Sequence, residues 1–370
     1  MLVFSGSLGY PNSAMKFLDI IKIAFLWPVS LLYGLIMELR AGAYKTGLFR
    51  SHKAAVPVIS IGNIVAGGTG KTPMAISAAQ ILMEQGFRTA VLSRGYRRKS
   101  KTKDQRSKSL VVSDGLNVLC PAAEAGDEPY LIASRLLGTK ERPGVMVIVD
   151  KDRVAGAEKA AELGAQVIIL DDGFQHLRLQ RDLDIVLLDS HMPYDNGWLL
   201  PAGMLRERRS ALGRADAIVL TRCNKEKSKI KNQKSKTVVL ETRHKAGQPY
   251  IFAGRSAPGA EALKNPRIIL FSGIARPESF EQSVRQAGLP FAEHIKFPDH
   301  HHYTRDDLEL IAGKARGCDL LLTTEKDAVK LPPGTDLGRP LFVLPVEIEF
   351  LDEPQKLSFD EIIRDRVKIQ

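Results

Sequence analysis

Residues 56–75 constrain this chain more than any other stretch: Val56-Pro-Val-Ile-Ser-Ile-Gly-Asn-Ile-Val-Ala-Gly-Gly-Thr-Gly-Lys-Thr-Pro-Met-Ala75 is an apolar strand, a glycine-dense turn and the start of a helix. The turn reads as a phosphate cradle. Gly67, Gly68 and Gly70 let successive backbone N–H groups converge on an anion, and the helix that follows aims its partly positive N-terminus at the same point. In that setting Lys71 reaches β- and γ-phosphates and the Thr72 hydroxyl holds Mg²⁺. Pro73 suits a first helical turn, where its missing N–H costs nothing. The spacing departs from the P-loop pattern at one place, where Val65 stands for the first glycine and Gly62 lies further back. A ligand-free strand-to-helix turn is the plain alternative, and it is the weaker one, because Gly-Thr-Gly-Lys-Thr after an apolar run is far more demanding than a lone glycine triplet.

At 370 residues the chain is too long for one ordinary domain. An excess of 53 Lys and Arg over 42 Asp and Glu favours anionic partners. Part of that excess sits in two polar runs, 97–108 and 225–236, which read as surface loops. Neither run interleaves aromatics, so a nucleic-acid partner is not expected. Cys120, Cys223 and Cys318 are odd in number and share no ligand spacing, which fits a reducing compartment. Nothing in the sequence fixes an oligomeric state.

Residues 23–37 carry no charge, yet this core is shorter than the roughly 20 residues a span needs, and Pro28 interrupts it. Lys16, Lys22, Arg40, Lys45, Arg50 and Lys53 flank it, as suits a helix pair lying in an anionic membrane interface. An ordinary core helix and a true span are the alternatives. The segment lies late for a cleavable signal peptide, and Met15 offers a second start.

Beyond the cradle, strands at 88–94, 110–113, 145–150, 166–171, 184–189 and 217–221 alternate with helical patterns at 73–84, 129–137 and 155–163. Near-continuous Val, Ile and Leu strands separated by helices predict an α/β fold, a mostly parallel sheet sandwiched by helices in the manner of P-loop NTPases. A composition shift toward Gly, Pro and Ala over 244–265 precedes a second alternating series, which predicts a smaller α/β domain. The expected division is 1–55 as a membrane-associating segment, 56–243 as the P-loop domain, 244–338 as the smaller domain, and 339–370 as a return strand and C-terminal helix. The stretch 339–350 reads as one strand that pairs with 237–243.

Ligands in such sheets bind at the carboxyl ends of the strands. Three strands end in aspartate, at Asp150, at Asp171 with Asp172, and at Asp189. The pair Asp171 and Asp172 is the favoured Mg²⁺ partner of Thr72, since Gly173 turns the chain away from it. Each of these aspartates also suits a plain turn cap. Arg206, Arg208 and Arg209 either neutralise phosphate or form a solvated face. Gly126-Asp-Glu-Pro129 places a carboxylate at a helix start, where Asp127 and Glu128 are either caps or bases. Pro298-Asp-His-His-His-Tyr-Thr304 is the other titratable cluster, and Thr304 with Asp307 forms a capping box that leaves the histidines in the preceding loop. A His–Asp pair drawn from the two domains makes a suitable general base. Consecutive histidines diverge, which speaks against metal binding by the triplet.

Read together, several motifs resemble the tetraacyldisaccharide 4'-kinase family. They are Gly62-Asn-Ile-Val-Ala-Gly-Gly-Thr-Gly-Lys-Thr-Pro73, Ser93-Arg-Gly-Tyr96, Gly126-Asp-Glu-Pro129, Asp171-Asp-Gly-Phe-Gln-His176, Leu200-Pro-Ala-Gly203 with Leu205-Arg-Glu207, Phe297-Pro-Asp-His-His301 and Thr323-Thr-Glu-Lys-Asp327. The resemblance implies a two-domain P-loop kinase at the cytoplasmic face of the inner membrane, phosphorylating the 4'-hydroxyl of an acylated disaccharide 1-phosphate lipid with ATP and Mg²⁺. It gives the ATP phosphates to Gly67, Gly68, Thr69, Gly70, Lys71 and Thr72, and places Gln175 beside them. It gives the acceptor-activating carboxylate to Asp127 and the partner histidine to His300, with His301 kept open. Asp171 and Asp172 match the family's carboxylates near the metal, Arg206 and Glu207 a further site element, and Arg153 a weaker one. A P-loop GTPase, ATPase switch or metallochaperone is the competing class, but Asn224-Lys-Glu-Lys227 has lysine where guanine reading needs aspartate. A membrane scaffold that only binds nucleotide would not need both Asp127 and His300.

Overall fold

A computed structural model describes residues 17–95, 109–223, 237–252, 266–332 and 334–368. Both basic runs of the sequence and the alternative start at Met15 lie outside the described residues. The chain opens with helix α1 (Phe17–Lys45), followed by β1 (Val58–Gly62), α2 (Lys71–Glu84), β2 (Thr89–Ser93), β3 (Leu110–Asp114), α3 (Ala122–Ala125), α4 (Asp127–Arg135) and β4 (Met146–Val149). It continues through α5 (Arg153–Glu162), β5 (Val167–Asp171), β6 (Leu183–Asp189), β7 (Ala217–Thr221), β8 (Val238–Ala246) and β9 (Tyr250–Ile251). Last come β10 (Ile268–Ser272), α6 (Pro277–Gln286), β11 (Phe291–Lys296), α7 (Arg305–Ala315), β12 (Leu320–Thr324), α8 (Glu325–Ala328), β13 (Leu341–Leu344), β14 (Val346–Phe350) and α9 (Glu353–Lys368).

Two sheets result. The larger has nine strands in the order β14-β8-β7-β6-β1-β5-β2-β4-β3, and the smaller has five, β11-β10-β12-β13-β9. In the larger sheet β8, β7, β6, β1, β5, β2 and β4 run parallel, and only the edge strands β3 and β14 are antiparallel. This is the P-loop NTPase-like α/β arrangement that the Val/Ile/Leu runs predict. β1 lies in the middle and every one of its residues is buried. α2 packs Met74, Ala75, Ala78, Ala79 and Leu82 onto the sheet, small residues letting the helix lie close where the glycine turn delivers it. At the end of β1 the backbone meets Phe174: a Cβ on Gly62 would come within 2.6 Å of the Phe174 Cβ. Only glycine lets strand and loop approach so closely.

The structure departs from the sequence reading at two points. First, α1 is one continuous helix of 29 residues with Pro28 inside it, not a pair of helices. Pro28 removes one ladder bond, and the intact turns on both sides carry the helix through. Second, 339–350 is two strands. β13 joins the smaller sheet beside β12, Pro345 cannot donate to either ladder, and β14 then joins the larger sheet antiparallel to β8, with Phe350 opposite Thr242 and Val346 opposite Ala246. Of the expected pairing with 237–243, only Glu349 opposite Arg243 and Phe350 opposite Thr242 are found; the rest of β14 pairs with 244–246. The chain passes between the sheets at 247–249 and again at Pro345, where the Gly247 N–H donates to the Pro345 carbonyl at 3.0 Å.

α9 closes the larger core with Phe359, Ile363 and Val367. Phe359 is fully buried and its ring lies 5.0 Å from that of Phe350. Phe359→Ala should destabilise the protein by about 3–5 kcal/mol. Urea unfolding followed by tryptophan fluorescence checks this, and a change below about 1 kcal/mol would mean that α9 is not part of the core.

Candidate active site

α2 begins without a side-chain cap. Its N-cap, Gly70, sits in the left-handed region at φ 89°, and no acidic residue occupies the first turn. Other helices of the chain have side-chain caps: Asp152 caps α5, Thr324 caps α8, and Thr304 with Asp307 forms the expected capping box on α7. At α2 the helix instead presents free N–H groups and a cation, Lys71, in its first turn. Both features work against the helix macrodipole unless an anion sits there. Phosphate is the anion this geometry suits.

The loop is braced from beneath. Asn63 Nδ2 donates to Thr69 Oγ1 at 2.9 Å, Thr221 Oγ1 donates to the Thr69 carbonyl at 3.1 Å, and Arg222 Nη2 donates to the Gly68 carbonyl at 2.7 Å. Arg222 also pairs with Asp189, which Arg276 of the smaller domain reaches at 3.2 Å. Asp189 is thus occupied as an ion-pair hub. Asp150 is likewise engaged, accepting from the Ser109 hydroxyl at 2.6 Å and the Asp152 N–H at 2.8 Å.

Of the three strand-ending aspartates, β5's pair is placed for chemistry. Asp172 stands at φ 55° and accepts both Arg206 Nη1 bonds, at 2.9 and 2.8 Å, with Lys71 Nζ 3.7 Å away. Burial pushes its carboxyl up, but Lys71 and Arg206 outweigh that and hold it below the usual range. Asp171 is buried and its Oδ1 has no hydrogen-bond partner. Burial, with Glu128 and Asp172 adding like charge, pushes its carboxyl well above the ordinary carboxylate range, against the pull of Lys71 and Arg153. Arg153 is itself 3% exposed, and burial lowers its pKa to about 10. An orphaned, buried carboxylate oxygen next to a second acid is a poor arrangement for the protein alone and a good one for a hard cation. Among the described residues no group of three or more His, Cys, Asp or Glu forms a complete cage, so a cation there would share its shell with phosphate oxygens and water.

These groups open on one cleft of about 2020 Å³ between the two sheets. Its lining includes Gly67, Gly68, Thr69, Gly70, Lys71, Thr72, Asp127, Asp171, Asp172, Gln175, Arg206 and His300 of the residues named from the sequence, but neither His301 nor Glu207. Asp127 is the first residue of α4 and makes no side-chain cap, because the N-cap is Gly126 at φ 92°. His300, also left-handed at φ 59°, faces the cleft, and His302 lines it too. His301 is drawn away instead: its Nε2 lies 2.9 Å from Asp307 Oδ2 and its ring stacks on Phe297 at 4.7 Å. Glu207 is buried beneath the site, where it receives Gln175 Nε2 at 3.0 Å and Arg214 Nη2 at 2.8 Å. Gln175 thereby reaches the cradle through its second bond, to the Asn63 carbonyl at 2.8 Å.

The family model for tetraacyldisaccharide-1-P 4'-kinase matches residues 23–368. The chain belongs to this family. Similar relatives include the tetraacyldisaccharide 4'-kinase of Pelobacter propionicus, 41% identical over 84% of this chain and 83% of that one, and that of Geobacter metallireducens, 40% identical over 94% and 100%. Among solved structures, LpxK from Aquifex aeolicus in complex with ATP superposes with a TM-score of 0.74 at 34% identity, covering 93% of this chain and 99% of that one.

Two residues near the cradle escaped the sequence reading in this kinase-family chain. Arg222 directly follows β7, so the strand-end rule that found the aspartates had the means to find it. His244 gave no signal: it lies mid-strand on β8, and only the fold sets its ring against Gly70, where an added Cβ would lie 2.7 Å from Nε2. That Nε2 is buried without a partner. Burial pushes the pKa of His244 down to about 4, the Arg222 cation adds to the effect, and Asp189 partly opposes it. An unfolded histidine titrates near 6.5, so between about pH 6.5 and 4 the unfolded chain takes up a proton that the folded chain refuses, and stability falls as pH drops. His244→Leu should flatten this slope, leaving the shares of His176, lowered to about 4, and of His294, which burial also lowers. Urea midpoints at pH 7 and pH 5 for wild type and variant measure it; parallel losses would contradict a neutral buried His244.

Proposed function

We propose that the chain is an ATP-dependent kinase that phosphorylates the 4'-hydroxyl of a tetraacyldisaccharide 1-phosphate, a step of lipid A biosynthesis. The observation that carries this reading is the sharing of one cleft by the uncapped α2 terminus with Lys71, the Asp171–Asp172 pair, Asp127 and His300. A nucleotide-binding switch has use for the first two features and none for the last two.

In this reading the Gly67–Thr72 loop and Lys71 hold the β- and γ-phosphates by N–H groups and charge. Thr72 and Asp171 would hold Mg²⁺, with Asp172 beside them; when bound, the ion neutralises phosphate charge. Asp127 takes the proton of the 4'-hydroxyl as the sugar oxygen bonds to the γ-phosphorus, and the bond from that phosphorus to the β-bridging oxygen breaks to release ADP. His300 pairs with Asp127 and orients it. Arg206, held by Asp172 and lining the cleft, supplies positive charge where the transferred group carries its negative charge. Asp127→Ala should lower turnover by about 10²–10⁴-fold and leave ATP binding within about twofold. The assay is one added phosphate on the tetraacyl disaccharide 1-phosphate by mass, in detergent with MgATP; retained turnover, or lost nucleotide binding, contradicts the role.

The lipid acceptor explains α1. Residues Ile23–Lys45 are long and apolar enough to cross a membrane, yet one side of the helix is tied to the body. Ser30 Oγ accepts the Ala202 N–H at 2.9 Å, and the Tyr33 hydroxyl donates to the Arg206 carbonyl at 2.9 Å. The other side exposes Phe25, Leu32, Leu35 and Leu39. A helix fastened to the protein body along one flank and apolar along the other is suited to lie in an interface rather than across it. We therefore place the protein peripherally on the cytoplasmic face of the inner membrane, with the apolar flank in the lipid. Phe25→Glu with Leu32→Glu should shift the protein from pellet to supernatant when sedimented with vesicles containing anionic lipid; unchanged sedimentation rules this flank out.

A further inference from the structure

The Thr323-Thr-Glu-Lys-Asp327 motif lines the same cleft through Thr324, Glu325 and Lys326 and has no role in the chemistry described above, yet its charged side chains reach both halves of the site. It ends β12 and opens α8 in the smaller domain. Glu325 Oε1 accepts Arg135 Nη1 at 2.7 Å, and its Oε2 accepts the Val346 N–H at 3.3 Å. Arg135 closes the last turn of α4, the helix whose first residue is Asp127. Lys326 Nζ meets Glu128 Oε1 at 3.2 Å, one residue beyond Asp127. Asp327 accepts from Thr324 Oγ1 at 2.6 Å and pairs with Lys330 Nζ at 3.2 Å. Lys330 reaches the Gly273 carbonyl at 3.5 Å, and that carbonyl accepts the backbone N–H of His300 at 3.1 Å. The fit around Gly273 is close: an added Cβ would lie 2.9 Å from the His301 Cβ and 3.1 Å from the Pro298 carbonyl.

We infer that the 323–327 turn is a positioning element that sets the spacing of Asp127 and His300, gripping α4 through Glu325 and Lys326 and the His300 loop through Asp327 and Lys330. Helix capping accounts for the side chains of Thr324 and Asp327 alone, because those of Glu325 and Lys326 bond outside their own helix. Stability does not account for the arrangement either. The Asp327–Lys330 pair is buried at 0% and 3% side-chain exposure, and burying such charges costs about as much as their attraction returns. The Lys326–Glu128 pair is 43% exposed on each side, where a pair contributes about 0–1 kcal/mol. Geometry is what these contacts supply. A proton acceptor and its orienting partner come from different sheets, and a misplacement of about 1 Å between reacting groups costs on the order of 10²-fold.

The inference rests on the kinase reading, and the test separates the two. The full chain is assayed with MgATP and the tetraacyl disaccharide 1-phosphate in detergent. Glu325→Ala and Arg135→Ala should each lower kcat by about 10–100-fold, with KM for either substrate changed less than about threefold. Lys326→Ala, at a site exposed enough to spare folding, should lower kcat by about 3–10-fold with an unchanged Tm. In a His300→Ala background, whose residual rate is followed with γ-labelled ATP, Glu325→Ala should cost no more than about twofold further, because the Asp127–His300 spacing that the turn sets has lost one of its two members. Full kcat in Glu325→Ala and Lys326→Ala, or losses that multiply with that of His300→Ala, overturn the positioning role. A wild-type protein that forms no phosphorylated lipid overturns the kinase reading instead.

Discussion

The site depends on a helix that starts badly. α2 has no capping side chain and no acid in its first turn, and it carries Lys71 where a helix favours negative charge. Each omission costs a fraction of a kcal/mol to about 1 kcal/mol in an isolated helix, and the chain can bear them because α2 is held by its buried face of alanines, Met74 and Leu82 on the parallel sheet. Packing energy from the core is thus what allows an electrostatically incomplete terminus to persist. The bonds from Asn63, Thr221 and Arg222 use loop carbonyls and hydroxyls, so they fix the cradle's shape without taking up its N–H groups.

The neighbouring carboxylates divide the electrostatic burden unequally. Asp172 faces Arg206 and Lys71 and stays charged, while Asp171, with Arg153 turned toward backbone carbonyls of Asp150 and Asp171, keeps an unbonded oxygen. Environment alone thus sets two adjacent acids apart: one is engaged by two cations, and the other keeps an oxygen without a partner.

Much of this was legible in the sequence, and the parts that were not share a cause. The cradle, the strand ends and the α7 capping box are local patterns, readable because a few consecutive residues dictate them. Asp127 was found but not its surroundings, since whether an acid at a helix start caps or faces a cleft turns on the φ of Gly126. That His300 lines the cleft while His301 pairs with Asp307 was equally closed to pattern reading, because it follows from a left-handed residue beside a capping box. The run 339–350 looked like a single strand because apolar content is indifferent to which sheet receives it. Only the competition between two edges, with Pro345 between them, divides it. Pro28 misled for the opposite reason: a local breaker signal was overruled by the length of the helix around it.

The passages between the sheets lie side by side, and the Gly247 to Pro345 hydrogen bond joins them. Beyond that bond the two segments continue as the paired strands β8 and β14. Two crossings fastened together at one line work as a seam rather than as loose cords: the covalent chain holds the two sheets together there, and the pairs Arg276–Asp189, Arg135–Glu325 and Lys326–Glu128 join them elsewhere.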